Sequence, residues 1–110
     1  MFRSDIWVAA FVRRHNDIGR MCVVVRRGDP IAGQIFVEVD HLNGEVSLYA
    51  PAPAASWADN PEERVFQRRF DHVSAARVRE RLAQEEAFDP DFWVLSLDLR
   101  GGDPGLLVIA

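Results

Sequence analysis

The tetrapeptide His41-Leu42-Asn43-Gly44 constrains this chain more than any other stretch. Asn-Gly accepts the positive φ angles of a tight hairpin turn at little steric cost, so the flanking segments must run antiparallel, side by side. On the near side, over Gly33 to Asp40, Ile35, Val37 and Val39 alternate with Phe36 and Glu38. On the far side Glu45 to Tyr49 returns, with Val46 and Leu48 on one face and Ser47 and Tyr49 on the other. Upstream, Met21 to Arg26 is a β-branched run bounded by Gly19 and by the turn residues Arg27-Gly28-Asp29-Pro30. These three segments are expected to form a meander.

Helical spacing brackets them. Ser4 is placed to cap a first helix with Asp5 in its opening turn. Ile6, Trp7, Ala10, Phe11 and Arg14 form one stripe, and Val8 and Val12 make the other side apolar too. This helix is expected to end near Asn16; a strand is the competing reading, since Trp, Val and Phe also favour strands. Pro51, Pro53 and Pro61 turn Ala50 to Pro61 into a loop, and Glu63 to Phe70 reads as a further strand with Val65 inward. Ser74 caps a second helix through about Glu86 with Ala75, Val78 and Leu82 inside, and Asp89-Pro90-Asp91 stops it. Trp93, Leu95, Leu97 and Leu99 then alternate with Val94, Ser96 and Asp98 as a strand. Beyond the glycines at 101, 102 and 105, Leu106 to Ile109 reads equally as a last strand, a frayed tail or a dimer-pairing edge.

The expected architecture is a single α+β domain over residues 1–110, in the order α-β-β-β-β-α-β. Its sheet is mainly antiparallel, of about five strands, with both helices packed on one face. The expected core is Trp7, Phe11, Val23, Val25, Ile35, Val37, Leu48, Val78, Leu82, Trp93, Leu95 and Leu97.

Composition narrows the function classes. The net charge is −4, and all 13 basic residues are Arg. An acidic chain of this size makes nucleic acid an improbable partner, because backbone binding needs a basic stripe. Cys22 is the single cysteine, which excludes an intrachain disulfide and a zinc cysteine cluster. No apolar run approaches the ~20 residues of a membrane span. The run Ile6 to Val12 is short and follows Asp5, unlike a signal peptide, so the cytoplasm is the expected compartment.

Three constellations bear on chemistry. Arg13 and Arg14 end the first helix, and Arg26 and Arg27 end the next strand. One Arg from each pair could meet on a phosphate, a carboxylate or a nucleotide, or all could be solvated ion-pairing charges. Tyr49, Pro51, Pro53 and Trp57 form a stiffened aromatic loop suited to partner recognition, with Trp57 covering one end of the sheet as the alternative. Asp89 and Asp91 could hold a divalent cation, but they lack calcium-loop spacing and a His ligand, which favours turn capping. His15, His41 and His72 lie in separate contexts without metal-ligand spacing. No nucleophile elbow, phosphate-cradling loop or dinucleotide fingerprint occurs, so no catalytic residue, metal or cofactor is assigned.

Four segments carry a family resemblance. Ile6-Trp7-Val8, Arg26-Arg27-Gly28-Asp29, Leu48-Tyr49-Ala50-Pro51-Ala52-Pro53 and Phe88-Asp89-Pro90-Asp91-Phe92-Trp93-Val94 resemble, in this order, DUF1491, a family of small alphaproteobacterial proteins of unknown function. The resemblance implies a bacterial, stand-alone, cytoplasmic domain and no particular activity. The expected function is a non-enzymatic binding or interaction module for a protein partner or a homodimer. The alternative is an anionic-ligand or enzymatic site on Arg13, Arg14, Arg26 and Arg27.

Overall fold

A computed structural model describes residues 2–53 and 63–109. The chain runs α1 (Ser4–Asp17), β1 (Cys22–Arg26), β2 (Ile35–Asp40), β3 (Glu45–Pro51), β4 (Val65–Ser74), α2 (Ala75–Phe88), β5 (Trp93–Asp98) and β6 (Leu107–Ile109). The six strands form one sheet in the order β1-β5-β2-β3-β4-β6. Pairing is antiparallel for β1–β5, β2–β3 and β3–β4, and parallel for β5–β2 and β4–β6. The α+β class holds, and the terminal apolar segment is a strand on the edge beside β4.

The expected meander is displaced by one strand: it is β2, β3 and β4, while β5 lies between β1 and β2. The cause is in residues 27–34, which form a wide connection instead of a tight turn. A gap of two strand spacings is roughly 10 Å, and this connection bridges it. The carbonyls of Pro30 and Ile31 accept from the amides of Asp5 and Ser4, two of the unpaired donors that open α1. Ser4 is therefore the first helical residue and not a side-chain cap; its Oγ donates to the Gly33 carbonyl at 2.6 Å.

The helices lie on opposite faces of the sheet, not together on one. Val8 and Phe11 of α1 pack with Cys22, Ile35, Val37, Val39, Trp93, Leu95 and Leu97. Val78 of α2 packs with Phe36, Val46, Leu48, Phe92 and Val94, joined by Ala75 and Leu82. The central strands β2 and β5 are apolar on both faces, so each face must be covered, as is usual where strands pair in parallel.

Two core expectations fail on register. Val23 and Val25 are 46% and 60% exposed, while Cys22 is buried and Val24 partly so. A one-residue slip turns every side chain of a strand over, and in an all-valine run periodicity cannot set the phase. The stripe of α1 is shifted likewise: Ser4, Val8, Phe11 and His15 are buried and Ile6 is exposed. At the hairpin, the positive φ angles fall on Leu42 (63°) and Gly44 (90°). Ser74 caps α2 as expected, accepting from the Arg77 amide at 3.3 Å.

Candidate functional site

The four arginines singled out in the sequence divide between the two faces. Arg26 turns towards α2. Its Nε donates to the Phe92 carbonyl at 3.2 Å and its Nη2 to the Pro90 carbonyl at 2.6 Å. Its guanidinium lies 4.3 Å from the Phe92 ring centre, with Glu86 at 3.5 Å. Every edge of that fork has a partner, so Arg26 clamps the chain that leads into β5. Arg14 sits over the Phe11 ring at 5.6 Å and faces a separate hollow with Phe2, Trp7 and Glu63.

Arg13 and Arg27 come together. They enter one groove of about 380 Å³ between α1 and β1, with Asp5, Val8, Ala9, Val12, Asn16, Val24 and Trp93. The helix supplies residues 5, 8, 9, 12, 13 and 16, one continuous side at three- and four-residue spacing. Trp93 forms the floor; its Nε1 donates to the Asp29 carbonyl at 2.8 Å, and Arg27 lies over its ring at 5.7 Å. Volume and lining, apolar walls with few polar groups at the rim, match a ligand-sized site. Both guanidinium groups are on exposed residues.

Asn16, absent from the sequence-based candidates, closes one end of this groove. Its Oδ1 accepts from the Cys22 amide at 3.0 Å and its Nδ2 donates to the Cys22 carbonyl at 3.3 Å. Cys22 itself is buried, which pushes its thiol up to about 11 and leaves it a poor nucleophile at neutral pH.

Tyr49 is buried in β3 on the α1 side, and Pro51 ends that strand. Pro53 is exposed, while Trp57 lies outside the described residues. Asp89 accepts from the Asp91 amide at 3.0 Å, closing a turn, and Asp91 offers its carbonyl to the Asp29 amide at 2.9 Å.

Two histidines distant in sequence do meet. The His41 and His72 rings stack with centres 3.8 Å apart and planes within 9°. Ser47 Oγ accepts from the His72 amide at 3.1 Å, donates to Asp71 Oδ1 at 3.2 Å and lies 2.7 Å from His41 Nε2. His72 Nδ1 is 2.8 Å from the same Asp71 oxygen, and that hydrogen bond is the main reason the Asp71 carboxyl sits below its ordinary value. The register shifts here, and His72 adopts φ 53°, so the network secures a strained bulge. Ser47 is 1% exposed, so its Oγ lies beneath the surface rather than in an open site.

A buried cation was also missed. Arg64, 8% exposed, donates from Nη2 to the Phe2 carbonyl at 3.1 Å and to Ser4 Oγ at 3.0 Å, tying the start of α1 to the start of β4. One Arg in an arginine-only basic set carries no sequence mark of such burial.

Comparison with known proteins bears on identity and leaves activity open. No curated protein matches. The chain is similar to a crystal structure of a DUF1491 family protein from Caulobacter crescentus, with 28% identity and a TM-score of 0.78, covering 99% of this chain and 98% of that one. It is similar also to a solution structure of a protein from A. tumefaciens, with 31% identity and a TM-score of 0.85, covering 98% and 94%. The family model described as a protein of unknown function matches residues 2–106, and this chain belongs to that family, DUF1491.

Proposed function

We propose that this protein is a non-enzymatic binding module whose site is the groove between α1 and β1. Its ligand carries a carboxylate or phosphate beside an apolar body. One observation carries the reading: Arg13 and Arg27, from separate elements, line the same groove, and Arg27 lies over the Trp93 ring in it. Guanidinium forks match the oxygens of such anions, and Val8, Val12 and Val24 offer an apolar wall. Arg26 is not part of the site, because its donors are already taken. The cytoplasm is the proposed compartment; a buried free thiol at Cys22 fits a reducing environment. Among the described residues no helix is long and apolar enough to cross a membrane.

Titration of isotope-labelled protein with N-acetyl-leucine, followed by nuclear magnetic resonance, tests the reading. Saturable shifts at the Arg13 and Arg27 side-chain Nε–H groups are expected, and none at Arg26. Uniform small shifts over all arginines would mean plain ionic screening and would end it.

A further inference from the structure

The groove runs beside an open strand edge. Among the described residues β1 is the outermost strand and pairs only with β5. The Met21 carbonyl accepts from the Asp98 amide at 2.9 Å, and antiparallel alternation then turns Met21 and Val23 towards β5. Cys22 and Val24 present their backbone groups to the open side. At Cys22 that side is filled: the Asn16 carboxamide supplies both an acceptor and a donor, as the peptide group of a neighbouring strand would. At Val24, among the described residues, no hydrogen bond from α1, a loop or a side chain takes that place. Val24 lines the groove that Arg13 and Arg27 enter.

We infer that the groove binds an extended peptide, which adds to β1 as a short strand. Its backbone pairs with the Val24 N–H and C=O, and a carboxylate of the peptide lies between Arg13 and Arg27. The inference rests on the binding-site reading above and names the class of ligand. A small anion would use the guanidinium groups alone and leave an amide and a carbonyl of the edge unanswered; an extended peptide answers both. A β1 strand from a second copy fits less well. Asn16 already occupies the Cys22 position, and a register irregularity between Val24 and Arg26 bends the strand. Both features blunt long edge-to-edge pairing. The entering segment is therefore narrow, stops at Asn16 and carries negative charge to match the two arginines.

Selection from a displayed library of random octapeptides with free C-termini, followed by synthesis of the enriched sequences, tests this. Enriched peptides are expected to contain a carboxylate that the Arg13→Ala/Arg27→Ala variant reads, with affinity falling at least roughly tenfold. They should slow amide hydrogen exchange at Val24 by about tenfold or more, and N-methylation of one peptide nitrogen should abolish binding. Both arginines are exposed, and an unchanged amide spectrum elsewhere verifies that the variant is folded. If no peptide is enriched, or if enriched peptides leave Val24 exchange unaltered while N-acetyl-leucine still shifts Arg13 and Arg27, strand addition is wrong and the anion site survives. Should neither probe shift those arginines, both readings fall.

Discussion

Arg26 and Arg27 are neighbours in sequence with opposite fates. Arg26 faces α2 and is committed to two carbonyls, a ring and a carboxylate. Arg27 faces the α1 groove, where its one aromatic contact is the Trp93 ring at 5.7 Å. Val24 faces the α1 groove while Val25 and Arg26 both face α2, so the register irregularity between Val24 and Arg26 turns Arg26 over, and Arg27, just past the end of β1, returns to the groove side. What lies across each face decides whether the charge holds the fold or remains available. A run of arginines is thus no unit of function; its members must be sorted by face.

The largest effect is expected for Gly28→Ala. A Cβ there would collide with the Asp91 carbonyl oxygen and come within 2.6 Å of the Phe92 backbone, so the connection between β1 and β2 must lift off β5. A loss of about 3 kcal/mol or more is expected by urea unfolding, and both arginine environments go with it. Arg26→Ala should cost about 2 kcal/mol in the same assay, because two charge-assisted hydrogen bonds and a stacked ring contact are lost. Asn16→Ala exposes the peptide groups of Cys22, with about 1 kcal/mol lost and a new tendency to associate visible by light scattering. Arg27→Ala should change stability by no more than about 0.5 kcal/mol, yet weaken N-acetyl-leucine binding.

The smallest effect concerns pH. His15 is 2% exposed; its burial, with Arg20 and Arg14 nearby, lowers its pKa below 6.5, the Pro104 carbonyl opposing. The unfolded chain then takes up the proton first, so this contribution is constant above the unfolded value and is lost as pH falls through it towards the folded one. Between pH 7.5 and 5.5 the wild-type Tm should fall more steeply than that of His15→Gln. Parallel slopes would show that His15 is not the group responsible.

Much of the fold was legible because local chemistry and tertiary context agree. The hairpin at 41–44, the Ser74 cap and the alternation from Trp93 to Leu99 each have a mechanism within a few residues. The failures share a cause. Whether Val23 or Val24 faces inward depends on where β5 inserts, and nothing within Met21 to Arg26 encodes that. Helices on opposite faces follow from β2 and β5 being apolar on both sides, a hint present in Phe36 and Val94 but outweighed by the alternation around them. At the site, the arginine pairs were visible while their sorting was not. Asn16 was read only as a helix end, because its role needs the strand edge beside it.

The most direct measurement follows the side-chain Nε–H resonances of Arg26 and Arg27 through one titration with N-acetyl-leucine. A saturable shift is expected at Arg27, matched at Arg13, with Arg26 unmoved. Equal shifts at Arg26 and Arg27, or a shift at Arg26 alone, would contradict it.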